Sequence, residues 1–513
     1  MIITSYVPAG FDGEVVWVEV DIRRGIPGID IVGLPDGAVK EAKERVRVSV
    51  RNSGYSFPPD RILINLAPAG VRKEGASFDL PMAVSILHRS GQIPPLNGFR
   101  MMLLGELQLS GRVRPVKGVL SAVASGLKKG IGMFFVPWEN LEEALALNEG
   151  EIFGVKTLRE SVNVLKSISA GERPEKVSTQ KLKNKEHNHH AGDFSDIKGN
   201  RFLKRALEVA AAGMHHVFMF GPPGSGKTMA ARRLPSILPP LSREDSITVT
   251  RIYSLAGKLR AHESLLTRPP FRSPHHSATQ EGLIGGGRVV KPGEVSLAHR
   301  GVLFLDEAPE FRKSLLQGLR EPVEKGRVDI ARAGASYWFP AEFQLIMAGN
   351  PCPCGNLGKD NGICVCSAQE INRYWKKLGG ALLDRIDIRI PLKPAPPEQI
   401  LSGEEESSRQ IRERVERAIK IQERRFSHST FSRNSRMTAD CVERYCSLSK
   451  ETAKIFVDAV KKLSLSSRAC HSVLKVARTI ADLEGTAEIK NTHILEAIQH
   501  RRYGENDIFW NVI

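Results

Sequence analysis

The segment GPPGSGKT, Gly221 to Thr228, has the spacing of a phosphate-binding loop. Gly221, Gly224 and Gly226 let backbone N–H groups converge on phosphate oxygens with no Cβ in the way, and Pro222, Pro223 and Ser225 complete the turn. Lys227 sets a point charge against β- and γ-phosphates, and the Thr228 hydroxyl is a ligand of the kind Mg²⁺ takes beside a nucleotide. The loop follows the apolar run HVFMF (216–220) and precedes MAARRLPSIL, so it joins a strand to a helix start. That context separates a nucleotide site from a chance glycine-rich turn. Hydrolysis also needs acidic groups. VLFLDE, Val302 to Glu307, supplies them: Asp306 ends an apolar strand beside the metal, and Glu307 can polarise the attacking water. Asn350 ends a third apolar run, QLIMAGN. Its amide can hold the lytic water, although Asn-Pro is also plain turn chemistry. ATP and Mg²⁺ are the ligands these residues predict.

A second chemistry lies just beyond. Cys352-Pro-Cys354 and Cys364-Val-Cys366 form two CxC pairs separated by nine residues. Thiolates in two close pairs can wrap a tetrahedral Zn²⁺; the other reading is four reduced structural thiols. Cysteine this dense in a polar loop has no core to fill, which favours zinc. Cys441, Cys446 and Cys470 fall in helical patterns and are expected as core thiols. Two basic segments can meet a polyanion. Residues 271–300, ahead of the acidic strand, are rich in Gly, His and Arg and carry Arg288 and Lys291. Residues 321–342 are expected as a β-hairpin with arms RVDIA and SYWFP and with Arg332 near its turn. Such residues can grip a phosphate backbone or be ordinary surface loops.

The elements needed to position these groups are legible. Between 194 and 393 the pattern is strand, glycine loop, helix, strand, with short apolar runs suited to strands buried on both faces of a parallel sheet. Residues 1–170 alternate as mixed α/β, with strands at 15–20 and 62–66 and a helix over 36–52 carrying Val39, Val46 and Val50. Residues 171–193 are polar and charged and cannot bury a core. They are expected as a linker, and His187, His189 and His190 within it as solvated rather than metal-bound. Residues 394–410 form a second connection, and 411–513 are helical.

The chain has 513 residues, with 74 Lys and Arg against 57 Asp and Glu, a net charge of +17. The largest share, +8, lies in residues 191–404, from 29 basic and 21 acidic residues. Charge is spread over the chain with no basic tail, as in a solvated surface or a polyanion-binding protein. At 41% hydrophobic and 26% charged, the composition excludes a mainly disordered chain and a collagen-like fibre. No apolar run approaches the ~18 residues of a membrane span, and the N-terminus lacks a secretory pattern. Sparse cysteine, seven in all, excludes a disulfide scaffold and predicts a reducing, cytoplasmic location.

GPPGSGKT, FRSPHHSATQEGLIGGG, PGEVSLAHRGVLFLDEAPEF, GNPCPCG and LLDRID together resemble the magnesium-chelatase-like AAA+ ATPases of the YifB/ComM type. The resemblance covers essentially the whole chain. It implies an AAA+ module with a helix-2 insert within 271–300 and a pre-sensor-1 hairpin within 321–342, followed by a helical lid. Asn350 matches sensor 1, Arg385 the arginine finger and Arg468 sensor 2, the last two acting across subunits of a ring, expected as a homohexamer. It further implies a DNA helicase or branch-migration factor in recombination during natural transformation, with a recombinase as a possible partner. A metal-chelatase motor subunit and an ATP-dependent assembly or regulatory protein are the alternatives. KEGASFDLPMAVSIL (73–87) and GELQLSGRVRPVKGVL (105–120) resemble a Lon-protease-like domain of ribosomal-S5 type. Ser77 takes the nucleophile position, but Leu120 stands where the activating Lys belongs, and Lys117 is three residues away. A Ser hydroxyl without a base is a poor nucleophile, so no peptidase activity is expected.

Overall fold

The computed structural model describes residues 2–95, 98–172, 192–260, 263–332, 335–359, 362–393 and 405–501. The expected linker lies outside the described residues except for its ends, as do His187, His189, His190 and most of the 394–410 connection.

Alternating burial builds the first sheet. In β4 below, Ile62, Ile64 and Leu66 are buried while Arg61 and Leu63 are exposed, as a two-faced strand requires. The strands in chain order are β1 (Ile2–Val7), β2 (Glu14–Arg23), β3 (Gly28–Val32), β4 (Arg61–Ala67), β5 (Arg100–Leu103), β6 (Glu106–Leu107), β7 (Val113–Arg114), β8 (Met133–Pro137) and β9 (Glu151–Val155). Seven of them form one mixed sheet, ordered β3–β4–β2–β1–β5–β8–β9, and β6 pairs with β7 as a short ribbon. The helix Gly37–Asn52 forms where Val39, Val46 and Val50 place an apolar stripe, and adds that stripe to the apolar cluster beneath the sheet, beside the helix Asp79–Arg89. The Asp36 carboxylate caps it, accepting from Val39 N at 2.8 Å.

The second sheet is parallel and buried on both faces, as its short apolar runs require. Its region contains β10 (Val217–Phe220), β11 (Phe271–Arg272), β12 (Gly285–Gly286), β13 (Lys291–Pro292), β14 (Val302–Leu305), β15 (Arg327–Arg332), β16 (Ala335–Pro340), β17 (Gln344–Gly349) and β18 (Ile388–Pro391). The sheet order is β11–β14–β17–β10–β18. Two expectations need correction. Phe271 and Arg272 are not insert but an edge strand of this sheet, paired with Val302 and Leu303. The hairpin is only β15 with β16; residues 321–325 belong to the helix Arg320–Lys325, which Gly326 terminates at φ +68.

The C-terminal helices are Ser408–Arg425, Ala439–Tyr445, Lys450–Leu463, Ser467–Leu483 and Asn491–Arg501. The first begins three residues ahead of the expected boundary because Ser407 and Gln410 form a capping box. This bundle shares one apolar cluster with the helix Arg201–Gly213 and the β10 face of the sheet. A buried polar network fixes it further. His215 meets Asp387 at 3.1 Å and Thr479 at 2.8 Å, and Ser472 donates to Asp387 at 2.5 Å. Burial opposes ionisation of Asp387, but the His215 and Ser472 hydrogen bonds outweigh it and hold the carboxyl well below its usual range.

The first sheet's unit docks on the helix Arg243–Ala256. Arg251 is buried with its guanidinium 4.0 Å from the Phe11 ring, and donates to the Phe11 carbonyl at 3.1 Å. Phe11 N in turn donates to the Trp338 carbonyl of β16 at 3.0 Å, so this unit touches the hairpin directly.

Candidate functional site

The phosphate-binding loop leaves the C-terminal end of β10 and enters the helix Lys227–Arg233. Gly224 and Gly226 have φ of +84 and +83, which a side chain would strain. A Cβ on Gly221 would come 2.3 Å from the Leu392 carbonyl. The Lys227 ammonium turns into the loop, donating to the carbonyls of Gly221 at 2.7 Å and Pro222 at 2.9 Å. Burial lowers its pKa to about 8, against the opposing pull of Asp306 and Glu307. A buried ammonium at the mouth of such a loop suits the charge of nucleotide phosphates.

Thr228 Oγ1 donates to Asp306 Oδ2 at 2.8 Å, joining the loop to the end of β14. A hydroxyl and a carboxylate meeting at a strand end fit Mg²⁺, which binds one or two such groups and takes the rest of its shell from water and phosphate. Glu307 follows with φ +49, an unusual conformation for a side-chain-bearing residue. His276 Nδ1, from the insert, lies 3.8 Å from the Glu307 carboxylate. β17 runs between β10 and β14, so Asn350 at its end stands between the phosphate-binding loop and the acidic pair.

Arg385 and Arg468 are also brought together, by a residue that spacing gave no reason to mark. Arg385 Nη2 donates to Glu324 Oε2 at 2.5 Å, and Arg468 Nη1 is 3.7 Å from Glu324 Oε1. The Arg385 pairing holds the Glu324 carboxyl below its ordinary range. Among the described residues, the side-chain partners of Arg385 are Glu324 and the Ala381 carbonyl, not the phosphate-binding loop of its own chain.

Arg288, Lys291 and Arg332 lie on two ribbons that are joined. Arg332, at the end of β15, donates to the Arg288 carbonyl at 3.1 Å and to the Gly287 carbonyl, laying the hairpin on the β12–β13 ribbon. All three side chains are exposed. Residues 333–334 of the turn lie outside the described residues.

The four cysteines cluster. Cys352 and Cys354 sulfurs are 3.3 Å apart, Cys354 and Cys364 3.7 Å, and Cys364 and Cys352 3.6 Å. All four Sγ atoms lie within 4.8 Å of one another. A tetrahedral Zn²⁺ with bonds of ~2.3 Å needs sulfurs about 3.8 Å apart, so the set fits a metal ion. A Cβ on Gly355 would sit 3.0 Å from Pro223 Cγ, placing the cysteine loop against the phosphate-binding loop. Of the other thiols, Cys446 is buried, whereas Cys441 and Cys470 are only partly covered.

The chain matches the family described as "Magnesium chelatase, subunit ChlI" over residues 193–400, "Subunit ChlI of Mg-chelatase" over 18–140, and "Magnesium chelatase, subunit ChlI C-terminal" over 405–501. The uncharacterised protein YifB of Salmonella typhimurium is 40% identical over 506 residues, covering 98% of this chain and 96% of that protein. Competence protein ComM of Haemophilus influenzae is 39% identical over 507 residues, 98% of this chain and 97% of that protein. The chain belongs to the YifB/ComM family of magnesium-chelatase-like AAA+ proteins. Its mixed sheet, parallel sheet and helical bundle are thus the Lon-like domain, AAA+ module and lid that the family resemblance implied. A Lon protease of Desulfovibrio desulfuricans is 27% identical over 150 residues, 27% of this chain and 16% of that protein.

In this YifB/ComM chain, Ser77 is partly exposed and Leu120 is wholly buried. Lys117 packs its side chain on Gly257 at the end of the helix Arg243–Ala256, where a Cβ would meet Lys117 Cε at 2.4 Å. That lysine serves the contact between domains. Sequence reasoning missed Glu324 and His276. His276 lay within the marked insert and carried a signal in its neighbour His275; Glu324 was hidden in the helix turn taken for hairpin. No helix among the described residues is long and apolar enough to cross a membrane.

Proposed function

We propose that the chain is a cytoplasmic, ring-forming, ATP-driven motor on DNA, a helicase or branch-migration factor of recombination in natural transformation. The observation that carries this reading is the joining of insert and hairpin through Arg332, which holds against each other the two ribbons that carry the exposed Arg288, Lys291 and Arg332 of an ATPase module. Repeated around a hexamer, such ribbons line a central channel and hold a phosphate backbone without reading bases. The name of the Haemophilus influenzae relative, competence protein, supports the transformation setting.

In this mechanism Lys227 binds the β- and γ-phosphates of ATP, and Thr228 and Asp306 are the residues that would hold Mg²⁺. Bound there, Mg²⁺ neutralises charge on the phosphates. Glu307 takes a proton from the attacking water, Asn350 orients that water, and Arg385 and Arg468 reach the γ-phosphate of the neighbouring subunit. The Lon-like domain is peptidase-inactive and braces the hairpin through Phe11. The chelatase descriptions support a second reading, a motor subunit of metal insertion. DNA binding separates the two. Arg332→Ala will weaken binding alike on unrelated sequences and lower the salt slope of binding by about one per contacting subunit. An unchanged slope on junction and single-stranded DNA removes the two ribbons from the interface.

The same proposal assigns Zn²⁺ to Cys352, Cys354, Cys364 and Cys366, as a structural ion that stiffens the loop between Asn350 and Pro223. The purified chain is expected to hold about one equivalent of zinc, and Cys364→Ser to lose both the zinc and most ATP turnover. Less than about half an equivalent in a folded wild-type chain rejects the site.

A further inference from the structure

Glu324 sits in the last turn of the helix Arg320–Lys325, three residues ahead of β15. Its carboxylate faces two arginines carried by different elements: Arg385 after the helix Gly380–Leu383, and Arg468 at the start of the lid helix Ser467–Leu483. Two guanidiniums drawn to one place repel unless an anion lies between them, and Glu324 is that anion. The hold is exchangeable. Arg385 is only 13% exposed, but the Glu324 side chain is 51% exposed, and a carboxylate open to solvent can be replaced by a stronger anion. Arg385 is also incompletely satisfied as it stands. Nη1 donates to the Ala381 carbonyl at 2.6 Å, while Nε is buried without a hydrogen-bond partner. A buried donor left unpaired marks a conformation that another arrangement can improve.

The helix end that carries Glu324 is tied to two further parts. Arg436, from the lid, donates to the Val323 carbonyl at 2.8 Å and to the Glu324 carbonyl at 3.2 Å. Gly326 then turns the chain into β15, and Ala341 N donates to the Gly326 carbonyl at 2.8 Å to close the base of the hairpin. One helical turn therefore joins both interface arginines, the lid and the hairpin.

We propose that Glu324 is a guard and coupling residue: it holds Arg385 and Arg468 while the neighbouring subunit offers no γ-phosphate, yields them when that subunit binds ATP, and thereby shifts the hairpin that begins at Arg327. Glu324 touches no reacting atom; it acts by positioning the arginines. The exchange favours the nucleotide because a triphosphate presents more charge and more acceptor oxygens than one carboxylate. The idea rests on reading Arg385 as the finger, so both are tested together.

The assembled full chain is assayed for steady-state ATP turnover, with and without single-stranded DNA, as wild type, Glu324→Gln, Glu324→Asp, Arg385→Ala and the Glu324→Gln/Arg385→Ala double variant. Loss of the guard is expected to raise kcat without DNA by about two- to fivefold, the range a half-exposed ion pair can supply, with KM for ATP unchanged. DNA stimulation shrinks by a similar factor, because the coupling is reciprocal and DNA on the hairpin cannot promote a release that has already occurred. Glu324→Asp shifts both in the same direction by less, and the double variant falls to the level of Arg385→Ala. Unchanged or lowered kcat in Glu324→Gln, with rings intact, overturns the guard while leaving the finger standing. Wild-type turnover in Arg385→Ala overturns the finger itself, and the guard with it.

Discussion

Glu307→Gln will lower ATP turnover by at least about 100-fold while MgATP still binds, because it removes a general base and keeps its shape. The binding groups are separate from it. Lys227 belongs to the phosphate-binding loop, and Thr228 is hydrogen-bonded to Asp306, not to Glu307. Glu307 instead holds φ +49 at the end of a wholly buried strand, with its side chain more than half exposed beside His276. Strain of that kind at a strand end is retained where the side chain must be aimed. Nucleotide-binding titration alongside turnover is the check: binding within about threefold of wild type and turnover near background support the role. Turnover within about tenfold of wild type removes Glu307 from catalysis.

Arg385→Ala will lower turnover by about 10³-fold, the least that a finger arginine contributes, and its defect will be repaired by a neighbour. Arg385 pairs with Glu324 and Ala381 rather than with its own phosphate-binding loop, so the proposed ring assigns it a target on another subunit. Lys227→Ala is equally inactive, through loss of phosphate binding. Mixed one to one, the two inactive chains create interfaces in which an intact loop from one meets an intact finger from the other. About a quarter of the interfaces in a head-to-tail ring then work, and turnover returns to that share of wild type. Mixtures that stay inactive place the finger in its own subunit or exclude the ring.

The nucleotide site was legible because its chemistry is local in sequence. Eight consecutive residues build the phosphate-binding loop, and flanking apolar runs announce the strands that hold it. The parallel sheet followed from runs such as VLFL and QLIMAG, which only a strand covered on both faces uses. The cysteine cluster was legible for the same reason: all four cysteines fall within fifteen residues, and the structure draws their sulfurs together. What the sequence hid was long-range. Glu324 meets Arg385 across sixty-one positions, and nothing near either residue marks the pair. His215, Asp387 and Thr479 are similar: three ordinary polar residues whose value lies in a buried network spanning core and lid. The boundary errors had local causes. Helix residues 321–325 precede a glycine that reads equally as helix stop or hairpin lead, and β11 has only two residues, too few for a period to show. The docking of Phe11 on Trp338 had no signal, since an exposed-looking aromatic in a hairpin arm is equally suited to solvent, nucleic acid or another domain.

Strand displacement on forked, three-way and four-way DNA, with wild type and Glu307→Gln compared at equal bound protein, decides whether the chain is a DNA motor. A DNA motor gives salt-sensitive binding of both chains to these substrates, and only the wild type, given ATP and Mg²⁺, separates or migrates the strands. A wild-type chain that turns over ATP yet neither binds, responds to nor unwinds any of these DNA structures contradicts it.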